Sequence, residues 1–268
     1  MGLSEISKSD DVIRFKWSDT SPSLANCLRR VILTEVPSLA VEDIVFIENE
    51  SPMSDEHIAH VLAMIPLVTP KGRYVFPQDS DKKRDDQRAR ATLTLDVQAG
   101  DQVLEVTSAQ LRSDDPDVKP VTPNVTITKL PPKKRLKLEA YAVLGVGRTH
   151  AKFQPVSTVY YKFQPVVEID LKECDSCAKC VESCSRGVIK VEKGKVAVID
   201  PDQCTQCGEC VKACSSTPQA IKVSELLDVA LFTVESTGAI PAERIVAEAF
   251  DIMKERFNSI KSEVVEVS

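Results

Sequence analysis

The sequence contains no apolar run approaching the ~18 residues that a membrane-crossing helix needs. It has no surplus of positive charge either, since 34 Lys and Arg stand against 40 Asp and Glu for a formal net charge of −6. That balance excludes a protein that grips nucleic acid by bulk electrostatics and leaves only local contacts, or contacts made through partners. No complete phosphate-binding glycine loop is present. Gly145-Val146-Gly147-Arg148-Thr149-His150 lacks the third glycine, and no strand-loop-helix unit surrounds it, so nucleotide binding is excluded there. Between Cys27 and Cys174 there is no cysteine. The first residues, MGLSEISKSDD, are polar and acidic, and the chain reads as soluble and cytoplasmic, where thiols stay reduced.

What is present is concentrated. Eight of the nine cysteines lie between Cys174 and Cys214. They form two copies of one pattern, Cys174, Cys177, Cys180, Cys184 and Cys204, Cys207, Cys210, Cys214. Each copy is C-x2-C-x2-C-x3-C, a spacing that wraps a short loop around an iron-sulfur cube so that three thiolates reach three irons and the fourth points away. In two-cluster ferredoxins that fourth cysteine ligates the other cluster. The crossed assignment gives Cys174, Cys177, Cys180 and Cys214 to one [4Fe-4S] cluster, and Cys204, Cys207, Cys210 and Cys184 to the other. The flanks repeat as well, Gly187-Val188-Ile189-Lys190-Val191 being echoed by Ala220-Ile221-Lys222-Val223. Each half reads as a cluster loop, a short helix and a strand, the two related by a pseudo-two-fold axis.

Zinc is the rival, because paired CxxC units also build tetrahedral four-thiolate sites. Three cysteines at successive spacings of three, twice over, suit a cube better. A disulfide set is disfavoured by the intracellular character of the rest of the chain. Ser185 and Ser215 replace the proline that usually follows the fourth cysteine, which bears on the local turn and the potential rather than on the ligand count.

At 268 residues the chain has room for two or three domains with real cores. Val12, Ile13, Phe15 and Trp17 form a strand-like stretch, and Ser18-Asp19-Thr20-Ser21-Pro22 then marks a helix start. Leu24, Cys27, Leu28, Val31, Ile32 and Glu35 follow at helical spacing until Val36-Pro37 ends the helix. Its wide apolar stripe, with Arg29 and Arg30 beside it, reads as a core helix or as one that packs on another subunit. Cys27 reads as a small hydrophobe.

Val41 to Ile47 reads as a buried strand, and Ser51-Pro52-Met53-Ser54 opens a second helix with Ile58, Val61, Leu62 and Ile65 on one face. His57 and His60 on that helix read as structural rather than metal-binding. The charged stretch from Gln78 to Arg90 reads as an exposed or mobile loop. Strands are expected at 91–97, 102–108 and 125–130, and an alternating strand carries Leu136, Leu138, Ala140 and Ala142. Pro131-Pro132-Lys133-Lys134-Arg135 before it could touch nucleic acid but reads better as a solvated edge strand protected by lysines. A further strand carries Tyr160, Tyr161 and Phe163, and another spans Val229 to Val234. From Pro241 a helix of about five turns bears Val246, Ala249, Phe250, Met253, Phe257 and Ile260 as a stripe, a natural partner surface that could also pack on the first helix.

Four blocks carry a family likeness. SDTSPSLANCLRRVILTEVPSL from Ser18, SPMSDEHIAHVLAMIPL from Ser51, GVGRTHAKFQPV from Gly145 and FTVESTGAIPAERIVAEAF from Phe232 resemble the alpha-type subunits of DNA-directed RNA polymerase. With the double cysteine motif, the chain resembles the archaeal form of that family, the counterpart of bacterial alpha and of the third-largest subunit of eukaryotic RNA polymerase II. The resemblance implies an α+β fold. In it an alpha-type dimerisation domain, 1–45 with 224–268, is interrupted by a mainly β insert domain, 46–165, and a ferredoxin-like domain with two [4Fe-4S] clusters, 166–223.

It further implies pairing with the small alpha-like subunit L, binding of the small subunits N and P, and a platform for assembly of the large catalytic subunits, with DNA met only through the assembled polymerase. Leu24, Asn26, Leu28, Arg29, Arg30, Val31, Val246, Phe250, Met253 and Phe257 are the expected partner-interface residues, and the block from His150 to Phe153 would also lie near a partner. Eukaryotic relatives hold zinc in the middle domain, which the absence of cysteine there makes unexpected in this chain. Two complete cysteine sets imply two clusters.

The implied function is therefore a non-catalytic scaffold, with the clusters stabilising the inserted domain. No acidic metal-binding cluster of the kind nucleotidyl transfer requires is present. The competing class is an electron-transfer subunit of an oxidoreductase. The cysteines alone would favour it, but no flavin or nicotinamide motif accompanies them.

Overall fold

The computed structural model describes residues 2–9, 11–78 and 89–267. The charged stretch expected as a loop falls chiefly on 79–88, outside the described residues. The fold is α+β. In chain order the first half carries β1 (Gly2–Ser9), β2 (Val12–Ser18), α1 (Pro22–Thr34), β3 (Pro37–Asn49), α2 (Asp55–Met64), β4 (Ala91–Gln98), β5 (Leu104–Thr107), β6 (Arg112–Ser113) and β7 (Thr126–Leu130). The second half carries β8 (Arg135–Val146), β9 (Val156–Ile169), α3 (Lys179–Glu182), β10 (Ile189–Glu192), β11 (Lys195–Val198), α4 (Glu209–Lys212), β12 (Ile221–Ser236) and α5 (Ala242–Val267).

Local chemistry explains the helix starts. Pro22 opens α1, where its missing N–H costs nothing, and Ser21 Oγ accepts from the Leu24 N–H at 3.3 Å. Ser54 caps α2 by accepting from the His57 N–H, and Asp55 and Glu56 place negative charge at the positive end of the helix dipole. β1, by contrast, lies on residues read from sequence only as a polar, acidic start. It is exposed along its whole length and forms one edge of a four-stranded sheet in the order β1-β2-β12-β9.

The chain groups into two compact units. The larger comprises Ser7–Ile13, Asn26–Tyr160 and Thr233–Ser268. It holds an antiparallel sheet in the order β3-β8-β4-β6, together with the β5-β7 pair. Leu136, Leu138, Ala140 and Ala142 of β8 turn inward and share one core with Ile58 and Leu62 of α2, all of them almost wholly buried. The 2.0-residue period of β8 and the 3.6-residue period of α2 thus meet on one apolar layer.

Two expectations need correction here. β8 is not an edge strand but lies between β3 and β4, with Leu138 opposite both Phe46 and Leu95. The basic residues before it are held by carboxylates rather than left as edge guards. Lys134 Nζ meets Glu50 at 2.8 Å, and Arg135 donates to both carboxylate oxygens of Asp96 at 3.0 and 2.9 Å. Nor is β3 buried throughout. Its first half, through Val41, is core, but bulges at Val41/Asp43 and Phe46/Glu48 turn Val45 and Ile47 outward, at 50% and 53% exposure.

Two further features tie this unit together. At Gly147, just beyond β8, a side-chain carbon would come within 2.2 Å of the Leu33 carbonyl oxygen, so only glycine permits the approach. Arg244 of α5 reaches the Thr69 carbonyl at 2.7 Å, anchoring the start of the last helix.

The smaller unit comprises Met1–Ile6, Arg14–Ala25 and Tyr161–Phe232. Its centre on the sheet side is aromatic. Phe232 is stacked on Phe15 at 5.1 Å and on Tyr161 at 5.1 Å, with Trp17 at 6.2 Å. Beyond that cluster lie both cysteine loops, the β10-β11 hairpin, and α3 and α4, each four residues long. β12 is longer than expected, joining the strand after the second cysteine copy to the one at Val229 without a break.

Candidate metal centre

The two cysteine loops repeat in backbone as well as in sequence. Ser176 and Gln206 occupy the left-handed region at φ 57° and 58°, and Ala178 and Gly208 precede α3 and α4 at φ 62° and 75°. These turns reverse the chain between cysteines, as a loop wrapping a compact body requires. The N–H groups of Cys184 and Cys214 donate to Val181 and Val211, each at 3.2 Å, at the close of equivalent helical turns.

The fourth cysteines sit among backbone donors. Burial pushes the Cys184 thiol up, but N–H groups of Val188, Arg186, Ile189 and Gly187 outweigh it and leave the thiol more acidic than usual. Cys214 behaves alike. Burial raises it, the Ser216 and Ala220 N–H groups, the Ser216 hydroxyl and the Ile221 N–H lower it, and the net shift is downward. Peptide donors aimed at sulfur stabilise the thiolate, the ligand form, and hydrogen bonds to cluster sulfurs are part of how iron-sulfur sites are tuned. The repeated flanks Gly187-Val188-Ile189 and Ala220-Ile221 were the sequence signal for these donors.

The cavity lining and the charge neighbours group the thiols in part across the two loops. A narrow cavity of about 20 Å³ is lined by Cys184, Cys204, Cys207 and Cys210, with Val167, Val188, Ile189 and Val223. Cys210 is pushed up first by burial and then by the charges of Cys204, Cys184 and Cys207. Cys180 is pushed up by burial, and by Cys174 and Cys177. Cys177 Sγ lies 3.6 Å from the hydroxyl of Ser215, the neighbour of Cys214.

Among the described residues, no three His, Cys, Asp or Glu side chains converge as they would around a single ion. Sulfurs on one zinc stand ~3.8 Å apart by tetrahedral geometry at a Zn–S distance of about 2.3 Å. Here four thiols instead line one cavity with apolar walls, the kind of donor set that iron-sulfur ligation uses. Gln206, in the second loop, keeps its Nε2 buried with no acceptor among the described residues.

The expected interface residues divide by burial. Leu28, Val31, Val246 and Met253 are buried within the chain itself, Leu24, Asn26, Arg29 and Phe250 are half-buried, and Arg30 and Phe257 are exposed. The first four are buried within the chain's own core. Along the second half of α5 the stripe comes to the surface, with Phe257, Ile260 and Val264 at 52%, 57% and 61% exposure. Arg256 on that stretch pairs with Glu35, just past α1, at 2.8 Å. In the His150–Phe153 block, Lys152 donates to the Val41 carbonyl and Ser38 donates to the Phe153 carbonyl, so much of it is structural.

Comparison with known proteins decides the family. The description "RNA polymerase Rpb3/Rpb11 dimerisation domain" matches residues 14–257. The chain belongs to that family. Among its relatives, DNA-directed RNA polymerase subunit Rpo3 of Pyrococcus furiosus is 38% identical, over 97% of this chain and 95% of its own length. The Rpo3 of Archaeoglobus fulgidus is 37% identical, over 98% and 97%. The subunit 3B of RNA polymerases IV and V from Arabidopsis thaliana is 33% identical, over 94% and 88%. The Rpb3/Rpb11 family match runs through both cysteine loops and ends within the exposed part of α5, at Phe257.

Proposed function

We propose that the chain is the archaeal alpha-type subunit of DNA-directed RNA polymerase, a non-catalytic scaffold on which the enzyme assembles. The observation that carries this reading is the family match over nearly the whole chain, with full-length relatives that are themselves named polymerase subunits. Pairing with the small alpha-like subunit L would bury the apolar stripe that α5 exposes at Phe257 and Ile260. Subunits N and P and the large catalytic subunits would then join this platform, and DNA would be met only through the assembled enzyme, in the cytoplasm. None of the described helices is long and apolar enough to cross a membrane.

The same proposal gives the chain two [4Fe-4S] clusters, one on Cys174, Cys177, Cys180 and Cys214 and one on Cys204, Cys207, Cys210 and Cys184, within a ferredoxin-like domain at 166–223. The remaining division, a dimerisation domain at 1–45 with 224–268 and a mainly β insert at 46–165, belongs to it too. Bound cubes supply cross-links and a one-electron couple. The chain's own contribution is the four-thiol cavity, the peptide donors at Cys184 and Cys214, and the small apolar cluster of Val188, Ile189, Val196 and Ile221. So small a core gains most of its stability when ligation closes its loops. The clusters would therefore hold the domain in the form the large subunits bind, and their oxidation would make assembly responsive to oxygen.

Anaerobic co-expression of the chain with an L subunit, followed by gel filtration and iron, sulfide and visible absorbance on the peak, tests both parts. A brown heterodimer with about eight irons, the content of two cubes, supports them. A colourless heterodimer would leave the scaffold standing without clusters. A brown monomer that ignores L and passes electrons to a dehydrogenase would replace the scaffold with an electron-transfer subunit.

A further inference from the structure

The two cysteine loops are fastened to β9 in different ways. The first follows directly from the strand, with the Cys174 N–H donating to the Asp170 carbonyl at 3.0 Å, one residue past the strand end. The second is remote in sequence and is held by two side chains of β9. Lys162 Nζ donates to the Cys204 carbonyl at 2.9 Å and also to the Asp202 carbonyl. Gln164 Nε2 donates to the Asp202 carboxylate. Lys162 and Gln164 point the same way because they lie two residues apart on a strand, and both are half-buried.

Holding a lysine so still gives up much of its rotamer freedom, which the fixed carbonyl pair offsets through charge-assisted hydrogen bonds. The Cys204 carbonyl belongs to the residue that carries the first thiol of the second set. Fixing it limits how far that thiol can swing out, and so how readily it detaches from a metal. An ammonium one peptide from the thiol also favours the more negative, reduced state of whatever the thiol ligates.

We infer that Lys162 and Gln164 are positioning residues for the second cluster alone, making its retention and potential depend on β9 in a way the first cluster does not share. The inference rests on the cluster reading proposed above.

The test uses the full-length chain, purified without oxygen. One background, Cys174→Ser with Cys177→Ser, leaves only the second site, and the other, Cys204→Ser with Cys207→Ser, leaves only the first. Lys162→Met, which keeps the stem and removes the charge and donors, and Lys162→Arg are placed in each. Iron release to a chelator is followed by visible absorbance, and the potential by spin-resonance titration.

With only the second site present, Lys162→Met should release iron about tenfold faster, the scale that loss of such bonds implies. The retained cluster should titrate at a lower potential, and Lys162→Arg should restore part of both. With only the first site present, neither quantity should move. In the chain with all eight cysteines, Lys162→Met should accelerate one of two release phases. Equal effects at both sites, or none at the second, overturn the inference. A parent chain purified without iron or sulfide overturns the cluster reading itself, a result distinct from either.

Discussion

Phe232 offers the sharpest test of how the smaller unit is held. Its side chain is 1% exposed and contacts three other rings, Phe15, Tyr161 and Trp17. Truncation to alanine removes a large buried side chain from among rigid neighbours that cannot close the gap, and core Phe→Ala changes cost 3–5 kcal/mol, so about 4 kcal/mol is expected. Phe232→Leu keeps most of the volume and loses mainly the ring pairs, for about 1.5 kcal/mol. Trp17 is the single tryptophan of the chain and is 4% exposed. Its fluorescence therefore reports this unit. In urea, with a slope of about 2 kcal/mol/M, the midpoint should fall by about 2 M for alanine and about 0.7 M for leucine. An alanine shift no larger than the leucine shift would refute the claim that the ring fills space its neighbours cannot.

In the larger unit, burial first, and then the Asp115 carboxylate it donates to at 2.6 Å, raise the Tyr74 phenol well above its ordinary 10.0. The fold therefore favours the protonated form, so this contribution is complete below pH 10.0 and is lost as pH rises beyond it. Tyr74→Phe should flatten that alkaline loss in unfolding titrations, while costing ~1–2 kcal/mol at neutral pH. Gly147→Ala should destabilise by at least about 2 kcal/mol in a thermal melt, because its side-chain carbon would meet a backbone carbonyl that cannot turn away. Cys204→Ser combined with Cys184→Ser should lose no more iron than either change alone, whereas Cys174→Ser with Cys184→Ser should lose all of it; the opposite pattern would mean uncrossed ligand sets. Phe257→Asp, at a position 52% exposed, should leave the unfolding free energy in urea within about 0.5 kcal/mol of the parent yet abolish the proposed pairing with L on gel filtration.

What the sequence made legible was what local chemistry decides. Pro22 and Ser54 announced two helix starts because capping and the missing proline N–H act within one turn. The cysteine repeat was readable because a loop that wraps a compact ligand must return a thiol every three residues, and the backbone repeats with it at Ser176 and Gln206. The misreadings concern neighbours in space. Lys133, Lys134 and Arg135 looked like guards of an open edge, yet they answer Asp101, Glu50 and Asp96, whose pairing depends on strands far apart in the chain. A helical stripe alone also cannot separate burial within the chain from exposure, as Leu28 at 0% and Phe257 at 52% show.

Lys162 shows the same limit at the candidate site. Nothing in Tyr161-Lys162-Phe163-Gln164 distinguishes it from a solvated residue on an alternating strand. Its meaning appears only when the second cysteine loop is brought against β9. If the repeat holds a cluster as proposed, β9 is the strand through which loading of that site would reach the rest of the unit. An electron carrier would need only the site itself, whereas the proposed scaffold would need this attachment, because only through it could loading alter a surface that other subunits meet.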